Sequence, residues 1–190
     1  MRYIGDDEIP PVVSVSQFIN AVHGEMPGAS EQASIEMLLG AAQDVVTTAA
    51  NIPPAPGLYE FTYPLYGWRR WWFPCCPVTS LSALAVTDDN GAWVDQPLDG
   101  VMLVQGEDEP QLLLPERWSG NEAGRTLRIR AEVGGVFPRN LWRAVVSLAR
   151  EWRDADISVS GDIQPPRASF NVQRLIKQER YVRPCASAGC

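Results

Sequence analysis

The chain is poor in the groups that most enzymes need. Of its 190 residues only His23 is a histidine, and among 16 basic side chains only Lys177 is a lysine. His23 stands directly before Gly24 at the end of a short helical pattern, where capping the last carbonyls is its ordinary use. Spent there, it leaves no imidazole for a Ser-His-Asp triad or a histidine-zinc site. The four cysteines lack zinc spacing: Cys75 and Cys76 are adjacent, and Cys185 and Cys190 close the chain. No disulfide framework is implied, and reduced thiols are expected. No GxxxxGK[ST] loop is present, and Gly134-Gly135 stands alone. The longest apolar runs, Leu81 to Val86 with a serine inside, Val101 to Val104 and Leu112 to Leu114, fall far short of the ~20 residues that cross a bilayer. Met1 to Gly5 runs into Asp6-Asp7-Glu8 without an apolar segment, so no signal peptide is expected and a soluble, cytoplasmically made protein is.

What is present is an ordinary globular composition, 45% hydrophobic and 21% charged. The length suits one domain with an appendage, or two small domains. The net charge of -7 conceals a polarity: residues 1–110 hold 3 basic and 15 acidic groups, and residues 111–190 hold 13 and 8. Such a split favours head-to-tail association or docking of the basic end on an acidic partner. The plain alternative is a chance excess on two solvated surfaces. Acidic clusters occur at Asp88-Asp89 and Glu107-Asp108-Glu109. Both abut turn signals, so solvation outweighs a metal or acid-base role.

The pattern along the chain reads as α+β. Residues 1–13 are acidic, contain prolines and are expected to be loose. Ser14 to Gln17 has capping-box spacing and opens a helix over 14–23 that Gly24 stops. Ser30 can cap a second helix over 30–51, whose stripe is Ile35, Leu38, Leu39, Ala42, Val45, Val46 and Ala49. Asn51 and Ile52-Pro53-Pro54 end it, and the two helices form an N-terminal pair. From 58 to 133 the period changes to alternation, giving an inserted antiparallel β region. Its strands are expected at 58–63, 68–73, 78–87, 92–95, 101–105, 111–114 and 126–133. Asp89-Asn90-Gly91 is the strongest hairpin signal. Pro138 then opens a C-terminal helix over 138–155 with Leu141, Val145, Leu148, Ala149 and Trp152 on one stripe. Residues 157–167 read as a Pro165-Pro166 linker, and the rest of 157–190 as an extended arm that docks elsewhere.

Trp68, Arg69, Arg70, Trp71 and Trp72 interleave rings with guanidinium groups. Three uses fit: a contact surface between subunits or neighbours, a core strand with exposed arginines, or a ligand face. The contact surface is preferred because Trp and Arg are enriched at protein hot spots and the first 110 residues lack the positive field that phosphate binding needs. The ligand-face alternative is a small-ligand or carbohydrate-binding β module using Trp68, Trp71 and Trp72. A third reading is a metal-dependent hydrolase on Asp88, Asp89 and Asp95.

In order, the segments resemble the head-to-tail adaptor (connector) family of tailed bacteriophages and gene transfer agents. The resemblance is carried by Val15-Ser16-Gln17-Phe18, Leu38-Leu39-Gly40-Ala41-Ala42, Pro77-Val78-Thr79-Ser80-Leu81 and Val86-Thr87-Asp88-Asp89-Asn90-Gly91. Leu127 to Gly135 leading to Pro138, the helix Leu141 to Trp152, and Phe170 to Ile176 followed by Arg180-Tyr181 complete it. It spans residues 14–183 and makes 14–156 the adaptor domain. The Leu65 to Cys76 segment and the cysteine-terminated end depart from the family pattern.

The resemblance implies a structural virion protein, neither an enzyme nor a cofactor binder. It implies a dodecameric ring at the head-tail junction, assembled in the bacterial host cytoplasm, with portal and stopper or tail proteins as partners. Double-stranded DNA would pass through without sequence-specific binding, and no membrane is involved. Asp88, Asp89, Glu107, Asp108 and Glu109 are candidates for the channel wall. Phe170, Val172, Arg174, Leu175, Ile176, Lys177, Arg180 and Tyr181 are candidates for a portal-docking arm, mobile until it meets its partner.

Overall fold

The computed structural model describes residues 1–5, 9–25, 27–66, 68–105, 110–116, 124–155 and 168–184. The chain divides into two units. One comprises Ile9–Ala55 and Val136–Arg180, the other Met1–Glu8, Pro56–Gly135 and Tyr181–Cys190. Each has its own hydrophobic core, because helical stripes bury against one another and sheet faces bury against one another.

The helical unit begins with α1, Val15–Val22. The Ser14 hydroxyl accepts the Gln17 N–H at 3.2 Å, and Gln17 Oε1 accepts the Ser14 N–H at 2.9 Å, which completes the expected capping box. The left-handed residue at its end is His23, at φ 53°, and not Gly24. The His23 and Gly24 N–H groups close on the carbonyls of Asn20 and Ile19. Helix α2 is Ala29–Ala50, with Gly28 at its N-cap, so Ser30 sits inside the first turn instead of capping it. Asn51 ends it at φ 56°. Its buried face holds Ile35, Leu38, Leu39, Ala42, Val46 and Ala50, while Ala49 is exposed. The stripe therefore drifts by one residue at its end. Two polar side chains inside this face are satisfied, as buried polar groups must be. Gln43 Oε1 accepts the Val12 N–H at 2.7 Å, and the Thr47 hydroxyl donates to the Gln43 carbonyl at 2.8 Å.

Helix α3, Arg139–Asp154, starts one residue after Pro138, which is its N-cap. Leu141, Val145, Leu148, Ala149 and Trp152 are all buried, as their spacing requires. The C-terminal segment departs from expectation. It is a helix, α4, over Phe170–Glu179, with Ser169 capping the Val172 N–H. Val172 and Ile176 lie one turn apart and enter the same core as α1, α2 and α3. Asn140 Nδ2 donates to Glu179 at 2.7 Å and the Ser169 hydroxyl to Glu151 at 2.6 Å, so α4 runs antiparallel to α3. The linker expected at 157–167 lies outside the described residues.

The β unit has a five-stranded antiparallel sheet in the order β1-β2-β8-β4-β5 and a three-stranded sheet in the order β3-β7-β6. The strands are β1 Arg2–Tyr3, β2 Gly57–Pro64, β3 Arg70–Trp72, β4 Val78–Thr87, β5 Trp93–Gln96, β6 Met102–Val104, β7 Gln111–Leu113 and β8 Thr126–Val133. Phe61, Leu84, Leu127 and Ile129 from the larger sheet and Trp71 and Leu112 from the smaller share one core. At the β4–β5 hairpin only Gly91 takes positive φ, at 81°, so Asn90 supplies no left-handed residue. The Asp88 carboxylate holds the turn, accepting N–H groups of Asn90 and Ala92 at 2.9 and 2.8 Å.

The N-terminal segment expected to be loose is tied at two points. Arg2 and Tyr3 pair with Glu60 and Tyr59, and Val13 is buried in the helical core. Tyr3 packs edge-on against Tyr59 at 5.2 Å, over Gly57. A Cβ at Gly57 would stand 2.7 Å from Tyr3 Cε2. Gly57→Ala is therefore expected to displace the Tyr3 ring and free β1, lowering stability by roughly 1 to 3 kcal/mol in urea unfolding. An unchanged urea midpoint would show that β1 adds nothing.

Candidate docking surfaces

Strand β3 sorts the tryptophan-arginine segment by its two-residue period. Trp71 points inward and is 3% exposed. Its ring lies 4.8 Å from Phe73 and 6.1 Å from Phe61, and it stacks on Trp68 at 6.3 Å. Trp68 is half-buried, with Nε1 donating to the Pro64 carbonyl at 3.0 Å. Trp72 is half-buried on the other face, with the Arg70 guanidinium 6.0 Å from its ring. The three tryptophans thus share no exposed face, and the carbohydrate-binding alternative loses its platform. What this segment offers a neighbour is Arg69 and Arg70, both exposed, with Arg69 3.3 Å from Glu116.

The structure adds a contact at the C-terminal end. Arg183 places its guanidinium 5.3 Å from the Trp71 ring centroid and 5.4 Å from that of Tyr63, a cation-π arrangement. Nothing in the local pattern of residues 181–184 signals it.

The carboxylates singled out by sequence are spent separately. Asp88 builds the hairpin turn, Asp89 pairs with Arg125 at 2.9 Å, and Asp95 lies 3.8 Å from Arg128. This arrangement does not gather the three oxygens that the hydrolase reading needs on one cation. Glu107, Asp108 and Glu109 lie outside the described residues.

The charge polarity along the sequence is partly consumed within the fold. Glu60, its side chain 12% exposed, stands 3.1 Å from Arg2, 3.2 Å from Arg130 and 3.9 Å from Arg128. Glu31 pairs with Arg153 at 2.6 Å. The helical unit keeps an imbalance of its own: residues 9–55 carry Glu25, Glu31, Glu36 and Asp44 and no Lys or Arg, while α3 and α4 expose Arg139, Arg143, Arg150, Arg174 and Lys177.

The segment expected to form a portal-docking arm divides by face. Val172, Ile176 and Tyr181 are buried and Leu175 is half-buried, so they are not free to meet a partner. Phe170, Arg174, Lys177 and Arg180 are exposed, Phe170 at 79%.

Cys75 is a buried thiol next to the half-buried Cys76. Burial, and secondarily the neighbouring Cys76, push the Cys75 thiol from 9.0 up to about 12. From pH 9 to 12 the unfolded chain gives up a proton that the native chain keeps, so this thiol's contribution to stability is lost as pH rises through that window. The urea midpoint of the wild type should fall faster there than that of Cys75→Ala, and native Cys75 should alkylate roughly a thousandfold more slowly than in urea. Equal midpoint slopes would remove the burial effect. Trp71→Ala should cost about 3 to 5 kcal/mol in the same assay, as for a large core ring. A loss below 1 kcal/mol would place the ring at a surface.

No protein-family model and no curated protein matches the chain. Solved structures do. A chain of the neck of an empty GTA particle, computed with C6 symmetry, aligns with TM-score 0.72 at 19% identity. One from the neck of the native GTA particle, computed with C12 symmetry, gives 0.68 at 20%, and one from the virion of a native gene transfer agent particle gives 0.69 at 21%. Each alignment covers 98% of this chain and 99% of the other. At this identity the likeness establishes the fold: the chain has the α+β fold of these neck and virion chains.

Proposed function

We propose that the chain is a structural, non-enzymatic neck protein, a head-tail adaptor of a tailed phage or gene transfer agent. It forms a ring, a dodecamer, between the portal of the DNA-filled head and the stopper or tail. The observation that carries the reading is the end-to-end likeness, 98% of one chain against 99% of the other, to chains from GTA necks. The C6 and C12 symmetry of those necks supports a closed ring, which a heterologous interface builds when its rotation closes.

The ring completes the channel for duplex DNA. A wall that phosphates do not stick to must be acidic or neutral, and Asp88-Asp89 at the β4–β5 hairpin, Asp89 exposed and Asp88 half-buried, and the Glu107–Glu109 cluster are the groups we assign to it. Arg69 and Arg70, exposed beside the buried Trp71, are assigned to a neighbouring subunit or component. The portal contact is assigned to the end of the C-terminal segment, where Arg180 and Val182 stay exposed. Among the described residues no helix is long and apolar enough to cross a membrane.

Quantitative mass spectrometry of purified particles, joined to an electron cryomicroscopy reconstruction of the neck, tests the reading. The expected result is about twelve copies per particle, arranged with rotational symmetry next to the portal. A few copies without symmetry, or absence from the particle, would overturn it.

A further inference from the structure

Helix α4 turns two of its residues, Val172 and Ile176, into the core. At about 3.6 residues per turn, Phe170, Arg174 and Lys177 fall on the opposite side, roughly 140 to 200° round from Val172. All three are exposed, and Phe170 at 79% is a large apolar ring left in water. Among the described residues neither Arg174 nor Lys177 has an ion-pair partner.

Helix α2 presents a matching face. Met37, Gly40 and Asp44 lie opposite its buried stripe, with Glu36 beside them, and all are exposed. Met37 is 61% exposed, and a Cβ at Gly40 would meet nothing within 4 Å. A glycine in mid-helix weakens the helix, so on an open face with no local need for it Gly40 is costly to the isolated chain. It also allows close approach of another surface.

The two faces agree in spacing and are opposite in charge. Each has an apolar side chain seven residues, roughly 10 Å, before a charge: Phe170 before Lys177, and Met37 before Asp44. The first carries two positive charges. The second carries two negative ones and belongs to residues 9–55, which contain no Lys or Arg.

We infer that the outer face of α4 in one copy packs against the outer face of α2 in the next copy of this chain. Phe170 seats by Met37, Lys177 meets Asp44, and the stem of Arg174 lies over Gly40 toward Glu36. The contact is heterologous, each copy giving one face and receiving on the other, which is the form of interface that closes rings. The inference rests on the ring reading above and names its helical contact.

The test uses the full chain in two charge-reversed variants, Arg174→Glu with Lys177→Glu and Glu36→Lys with Asp44→Lys, each supplied as the only source in particle-producing cells. Either variant alone sets like charges together at every interface. Both together restore opposite charges in an alternating ring. Copies of the chain per purified particle are expected to fall at least tenfold with either variant alone and to return to at least half the wild-type number on co-expression. Wild-type incorporation of the single variants would overturn the inference while leaving the ring reading in place. So would a loss that co-expression fails to repair, which would assign the basic face to portal or duplex DNA. Absence of the wild-type chain from particles would overturn both. Gly40→Leu separates folding from contact, being expected to raise the thermal midpoint and yet lower incorporation. A rise in midpoint with full incorporation would count against the close approach.

Discussion

Strand β8 constrains the β unit more than any other element. It is hydrogen-bonded along both edges, to β2 over its full length and to β4 over most of it. One face, Leu127, Ile129, Ala131 and Val133, is almost wholly buried. The other carries Arg128 and Arg130, and β2 answers with Glu60 between them. A one-residue slip of β8 would drive guanidinium groups into the core and lift four apolar side chains into water, so register here is fixed by solvation and charge together. The irregularities of β4, between Val78 and Ser80 and between Leu81 and Ala83, shift its register on β8, and beyond them Leu84, Ala85 and Val86 are buried in succession.

Helix α3 plays the corresponding part in the helical unit. Its buried stripe touches α1, α2 and α4, and the side chains just off the stripe make the polar contacts that align them. Asn140 reaches Glu179, Glu151 accepts from Ser169, and Arg153 reaches Glu31. The same sequence therefore serves both tasks, apolar groups at helical spacing for cohesion and flanking polar groups for orientation.

What could be read from the sequence is what local pattern encodes. Strand β8 has long clean alternation, and its bounds agree with it to the residue; β4 keeps its expected bounds although Leu84, Ala85 and Val86 are buried in succession. The Ser14 capping box is a four-residue code. Strand β1 is two residues and owes its existence to a partner 56 residues away, so no local signal marks it. In β3 both faces carry tryptophan, and alternation alone does not say which faces the core; the aromatic cluster of Phe61, Tyr63 and Phe73 decides it. The C-terminal segment is a related case: Val172 and Ile176 are too few to mark a core helix in the sequence, and it is the surface offered by α2 and α3 that buries them. Arg183 on Trp71 is a contact across 112 residues and leaves no trace in local composition.

The order found in α4 changes how any partner meets it. A ten-residue helix is marginal alone in water, so α4 is held in shape by burying Val172 and Ile176 on its own chain. A segment that orders only on binding must offset roughly 1 to 2 kcal/mol of backbone entropy per residue from its interface, which weakens the contact for its area. A helix already formed loses only side-chain freedom and rigid-body motion on docking. The exposed face of α4 is therefore a preformed surface, as the interface proposed above requires. In such a ring a modest free energy per contact suffices, because closure engages every contact at once.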